Sequence, residues 1–292
     1  MHSSKAVLTA LALLGVQAVW AAEFNGARAL EYARQMTALG PRPSGSAANK
    51  KTQAYIKAEL RGLGCQVLDD AFTGTPPSGP VPMNNIIAKF PGKSGMSVMF
   101  TGHFDTKVFK DFRFVGANDA GSSAAVLIEL AKALAGKPRK HDVYLVWFDG
   151  EEAVGEWSDR DGIHGSRHLA KKWAAEGQLS KILALINVDM IGDKDLGIVE
   201  ESNSTPALRR LVWQVAADLG YKRYFLDEAG AIEDDHMPFL REGVTALDLI
   251  DFDYGPGHSY WHTEKDTIDK LSAQSLKVVG DVLLETLKRL EK

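Results

Sequence analysis

The chain has 292 residues, 45% of them hydrophobic and 25% charged, an ordinary globular composition with enough length to enclose a sizeable core. Its formal net charge of −4 provides no electrostatic footprint for nucleic acid. The single cysteine, Cys65, excludes an intrachain disulfide, so stability has to come from packing.

Lys5, the apolar run Ala6–Ala21 and the small residues around its end have the layout of a secretory signal peptide. The run is too short for a comfortable membrane span, and cleavage is expected after Ala21. No cysteine follows it, which argues against a lipid anchor. Residues 22–292 then form a single domain exported to the periplasm or the medium, free of the membrane.

Helical spacing follows in "ARALEYARQMTAL" and in "AANKKTQAYIKAELRGLG", the second ended by Gly64. Cys65 opens a strand-like run and is expected to be buried as a small hydrophobe. Further strand-like runs are "CQVLDDAF", "NNIIAKF", "SVMFTGHFD", "VYLVWFD", "ILALINVDM", "LGIVE" and "TALDLID". Helical segments are predicted over 121–135, 165–176, 205–219, 234–242 and 272–290. The Pro-rich stretch 74–82 reads as a loop between strands rather than a domain boundary.

Strands alternating with helices predict an α/β fold: one domain with a mixed, mostly parallel twisted β-sheet and helices on both faces. The two early strands, with no helix between them, predict an antiparallel pair at one edge. Such sheets bind ligands beyond the carboxyl ends of their strands.

Those ends carry chemistry. "MFTGHFD" ends in His103 and Asp105, "VWFDGEE" in Glu151 and Glu152, and "LINVDM" in Asp189. Asp119 lies in a Gly-flanked loop opening a helix, and His262 follows the last strand-like run. A lone His at a strand end is commonly just hydrogen-bonded, and a lone Asp before a helix is usually an N-cap. His103, Asp119, Glu152, Asp189 and His262 gathered at one edge of a sheet are instead what a divalent ion such as zinc needs, since it takes His nitrogen and carboxylate oxygen. A cation there would also relieve the repulsion between Glu151 and Glu152, letting one ligate while the other acts as a general base.

The motifs "HFD", "GANDAGSSAAVLIELAKAL", "FDGEEA" and "NVDMIGD" together resemble the zinc-dependent aminopeptidase superfamily. A narrower match lies over it: "FDGEEAVGEWSDRDGIHGSRHLA", "AIEDDHMPFLREGV" and "WHTEKDTIDKL" resemble the animal-type glutaminyl-peptide cyclotransferases. The resemblance runs from about Asn84 to Leu271. It implies one catalytic zinc on Asp119, Glu152 and His262, with Glu151 as general acid/base. Asp189 and Asp234 would complete a carboxylate network, and Trp157, Ile232 and Trp261 would wall the substrate pocket. The segment "DFDYGPGHSYWHT" departs from the family, so an aromatic wall there is missing or moved, with Tyr254 or Tyr260 as replacements. The cysteines that form a disulfide near the site in many animal members are absent.

The implied activity is conversion of N-terminal glutamine of peptides or proteins to pyroglutamate, with release of ammonia. The alternative is a two-zinc aminopeptidase, in which Asp119 bridges the ions and His103 and Asp189 hold the second. A third reading, an inert metal- or peptide-binding protein, conflicts with the retention of Glu151 beside a full ligand set.

Overall fold

The computed structural model describes residues 24–292, so the expected signal peptide lies outside the described residues. Helices α1 (Gly26–Ala38) and α2 (Ala47–Glu59) each start on a side-chain cap. Asn25 accepts the Arg28 N–H and Ser46 accepts the Asn49 N–H, satisfying amides that a first turn leaves free. α2 stops before Gly64, and the chain leaves it through Gly62 and Gly64, both in the left-handed region (φ 74° and 77°). Cys65 is half-buried against the edge of the core rather than enclosed, and partial burial raises its thiol pKa.

The remaining helices are α3 (Gly121–Leu134), α4 (His164–Ala175), α5 (Pro206–Asp218), α6 (Met237–Arg241) and α7 (Ala273–Leu290). The strands are β1 (Gln66–Gly74), β2 (Val81–Phe90), β3 (Ser97–His103), β4 (Asp142–Phe148), β5 (Ile182–Asp189), β6 (Ile198–Glu201), β7 (Phe225–Gly230) and β8 (Ala246–Ile250). Six of them form one sheet in the order β1-β2-β4-β3-β5-β8. The pairs β1–β2 and β2–β4 are antiparallel, while β4, β3, β5 and β8 run parallel. The expected mixed sheet with an antiparallel edge is therefore present.

Strand β3 is buried at every position, as a central parallel strand covered on both faces must be. Its alternate residues feed two cores. Val98 and Phe100 pack with α1, α3 and α7 through residues such as Met36, Leu127 and Leu283. Met99 packs on the opposite face, with Leu169 and Trp173 of α4 and Phe239 of α6. The Trp147 indole N–H donates to the Ala124 carbonyl at 3.0 Å, tying β4 to the start of α3.

Two expectations are corrected. "LGIVE" does not join the main sheet; β6 pairs in parallel with β7 in a separate two-stranded sheet. β7 had no signal in the sequence, because Asp227 and Glu228 interrupt it and only Phe225 is buried. The helix expected over 234–242 shrinks to α6, because Asp234 and Asp235 are buried in polar surroundings and Pro238 suits only a first turn.

Candidate active site

Because β3, β4, β5 and β8 are parallel, their carboxyl ends open on one side of the sheet. His103 ends β3 and Asp189 ends β5. Glu151 and Glu152 follow β4 through a turn at Asp149–Gly150. Asp119 precedes α3, and His262 comes from the segment between β8 and α7.

The Glu–Glu turn is held through its backbone. One carboxylate, that of Asp105, accepts the Glu151 N–H at 3.2 Å and the Glu152 N–H at 3.3 Å. The Glu151 and Gly150 carbonyls accept the N–H groups of Ile163 and His164, both at 2.7 Å. Gly150 is left-handed (φ 77°), and a Cβ there would lie 2.5 Å from the Met83 sulfur. The two side chains then part: Glu152 Oε1 lies 3.2 Å from His262 Nε2, while Glu151 Oε2 lies 3.7 Å from His103 Nδ1.

Asp119 is fixed in the same way. The Asp266 carboxylate accepts the N–H groups of Asn118 and Asp119 and the hydroxyl of Tyr254. The fully buried Arg42 donates to the carbonyls of Phe104, Val115 and Gly116, clamping the loop that leads to Asp119. His262 itself is left-handed (φ 54°), as is Met190 after Asp189 (φ 48°). Non-glycine residues hold that conformation at a cost and are concentrated at functional sites.

Two clusters could each hold a cation, Asp119–Glu152–His262 and His103–Asp119–Asp189, sharing Asp119. In the first, His262 Nε2 is 3.3 Å from Asp119 Oδ2 and 3.2 Å from Glu152 Oε1. Ligands bound to a tetrahedral zinc stand roughly 3.3–3.5 Å apart, so these residues fit the ion. In the second, His103 Nε2 is 3.3 Å from Asp119 Oδ1 and 3.2 Å from Asp189 Oδ1. Asp189 Oδ1 already accepts the Met190 N–H at 2.8 Å.

Charge balance points the same way. Asp119, Glu151, Glu152 and Asp189 are all buried together. Burial opposes charge on His262, yet Asp119 and Glu152 outweigh it and raise its pKa to about 10. Burial likewise works against the Asp119 carboxylate, and the hydrogen bonds from His103 and His262 overcome it, holding Asp119 well below the usual range. Glu152 is pushed up by burial and then by Asp119. Glu151 is pushed far up by burial, with His103 opposing and Glu152 and Asp234 adding to the rise. Such a site has an excess of negative charge that a divalent ion would neutralise.

A cavity of about 580 Å³ opens above the cluster. Trp157, Ile232 and Trp261, and with them Asp234, all line it. Trp157 is 43% exposed, so it is a wall rather than core. Asp234 and Asp189 are not joined directly: Asp234 accepts from Asn187 Nδ2 at 3.0 Å, and Asp189 meets the imidazole of His103. Tyr254 and Tyr260 are not the missing wall. Tyr254 is buried with its hydroxyl on Asp266, Tyr260 packs against it, and neither lines the cavity. Phe252 and His258 take that place, their rings 5.2 and 4.9 Å from Trp261. Asp105, Asp266, Arg42 and Phe252 had no assigned part in the sequence reading. Asp105 and Asp266 each lie within four residues of a named histidine, which was the available signal.

Residues 85–287 match the model of peptidase family M28. The glutaminyl-peptide cyclotransferase of Drosophila melanogaster is 33% identical over 82% of this chain and 75% of its own. The chain belongs to the glutaminyl-peptide cyclotransferases of family M28. The crystal structure of an Acidobacteriales bacterium glutaminyl cyclase is 39% identical, covers 99% of both chains and superposes with a TM-score of 0.89. A Zn-dependent exopeptidase from Parabacteroides distasonis is 28% identical over 91% of this chain and 98% of its own, with a TM-score of 0.82. A glutaminyl cyclase and a Zn-dependent exopeptidase thus share this α/β scaffold. No helix among the described residues is long and apolar enough to cross a membrane.

Proposed function

We propose that this cyclotransferase closes N-terminal glutamine of peptides or proteins to pyroglutamate, using a single zinc held by Asp119, Glu152 and His262. The observation that carries the assignment of roles is the parting of the two glutamates, one into the ligand triad and one toward His103. Kinship with the cyclotransferases decides between two reactions that the carboxylates alone would serve. Support for one ion comes from the likeness to glutaminyl-peptide cyclotransferases, whose resemblance implies a single zinc. When bound, zinc supplies a Lewis acid for the side-chain amide carbonyl of the substrate.

The chain's own groups do the rest. Trp157, Ile232 and Trp261 hold the glutamine side chain and exclude water. The α-amine attacks the side-chain amide carbon, forming a C–N bond. Glu151 takes the proton from the amine and returns it to the departing amide nitrogen, which leaves as ammonia. Burial, Glu152 and Asp234 raise the proton affinity of Glu151 against the opposing His103, which suits a group that takes up a proton and passes it on.

The deciding experiment is mass spectrometry of a Gln-initiated peptide incubated with the purified enzyme, paired with metal analysis. Loss of ammonia and one zinc per chain are expected. Loss of the first residue, with two stoichiometric ions, would establish the aminopeptidase instead. Removing zinc with a chelator should abolish either activity.

Only the neutral amine attacks, and an α-amine titrates near pH ~7.7–8.0. The kcat/KM should therefore rise about tenfold per pH unit below pH ~7 and level off above pH ~8. A profile flat from pH 6 to 8 would mean that the amine proton is not lost before the transition state.

Trp157→Ala should reduce kcat/KM by about tenfold or more through lost near-attack geometry. Its melting temperature should barely move, because Trp157 is 43% exposed and belongs to none of the core clusters. A variant that melts much earlier and keeps its specific activity would show a packing role only.

Export is part of the same proposal, resting on Lys5 and the run Ala6–Ala21. N-terminal sequencing of protein recovered outside the cytoplasm should begin at Ala22; an intact Met1 there would refute cleavage.

A further inference from the structure

The segment that carries Ile232 and Asp234 runs from Ala231 to His236 and has neither strand nor helix to hold it. Beneath it is Glu201, the last residue of β6, a carboxylate with 0% exposure and no Lys or Arg partner among the described ion pairs. A buried carboxylate without compensation is expensive. Glu201 is compensated by six hydrogen bonds. Its Oε1 accepts the Asn203 N–H at 2.9 Å, the Asn203 side-chain amide at 2.9 Å and the Ile232 N–H at 3.1 Å. Its Oε2 accepts the Ser204 N–H at 2.7 Å, the Ser204 hydroxyl at 2.8 Å and His236 Nε2 at 3.1 Å.

These bonds join three parts of the fold. Asn203 and Ser204 belong to the turn after β6. Ser204 Oγ also accepts the Asp248 N–H of β8 at 3.0 Å. Ile232 and His236 bracket Asp234 from both sides. Asn203 Nδ2 adds a second tie, to the Ile232 carbonyl at 3.3 Å. The cavity wall at Ile232 therefore rests on one carboxylate that never reaches the cavity itself.

We propose that Glu201 is a positioning residue: its carboxylate locks residues 232–236 to the turn after β6 and so sets where Ile232 and Asp234 stand over the reacting glutamine. The inference rests on the cyclotransferase reading of the cavity. A misplacement of about 1 Å in a positioning group can cost roughly 10²-fold in rate, which is far more than the loss of one distant hydrogen bond would otherwise cause.

Glu201→Gln tests it. One of the two trios of donors must then face an NH2 group, so the segment is released on one side. The expected result is a rise of about tenfold or more in KM for a Gln-initiated peptide, measured per zinc-loaded chain well below the melting temperature. Zinc content should stay unchanged, since none of the proposed ligands touches Glu201. Added to Ile232→Ala, the same substitution should cost much less than it does alone, because the two act through one wall. Should Glu201→Gln fail to fold, Asn203→Ala decides; this exposed residue loses only its ties to Glu201 and Ile232, and KM should rise severalfold. Unchanged KM in the folded variant, with only the melting temperature lowered, would show that Glu201 is purely structural and overturn the proposal. Wild-type enzyme that releases a residue rather than ammonia would overturn the cyclotransferase reading instead, so the two failures are distinguishable.

Discussion

Glu151→Gln is expected to keep its zinc and lose turnover on a Gln-initiated peptide by about 10²–10⁴-fold, the usual contribution of a general acid–base group. An amide cannot accept the amine proton, and the side chain acts twice in each cycle. The fold should survive the change. The Glu151 backbone is held by its N–H on Asp105 and by its carbonyl on Ile163, and neither contact involves the carboxylate. Burial with like charges nearby makes an ionised Glu151 costly in the metal-free chain, so the neutral amide should not destabilise it. Circular dichroism, zinc content and rate are measured on the same sample. A variant that retains more than a tenth of wild-type kcat would remove Glu151 from the chemistry.

Glu152→Gln should fail in a different way. Glu152 Oε1 faces His262 Nε2, and Lys107 Nζ stands 3.9 Å from its other oxygen. A neutral amide oxygen is a poor ligand in place of a carboxylate. Even outer-shell partners change metal affinity by about 10–100-fold, so a direct ligand should cost at least that. The expected outcome is purified protein that is largely zinc-free and inactive, with activity partly restored by excess zinc. If Glu152→Gln keeps its zinc and rate while Glu151→Gln loses metal, the roles are reversed.

Much of this was legible in the chain because of one rule of α/β architecture. Near-continuous apolar runs mark buried parallel strands, and the polar residues that end them must gather at one edge of the sheet. His103, Asp189 and the Glu pair were found that way, and Asp119 and His262 joined them as the two loop residues with matching chemistry. β7 escaped because a strand at the surface with charged residues has no hydrophobic period to read. Phe252 escaped for a related reason: nothing local distinguishes an aromatic that lines a cavity from one that fills a core. Tyr254, two residues further on but turned inward, was one of the two choices offered and sits against Asp266 instead.

By itself the amino-acid sequence determined the fold class, the strand ends and the residue types available for metal and proton transfer, since these depend on periodicity and on side-chain chemistry. The tertiary structure alone decided how each group is held. Asp105 supports the Glu–Glu turn from 46 and 47 residues away, Asp266 supports Asp119 from 147, and Glu201 supports Ile232 from 31. Hydrogen bonds between buried carboxylates and distant backbone amides follow no local pattern. They exist only once the sheet has closed, water has been expelled and each buried charge must find its donors within the fold.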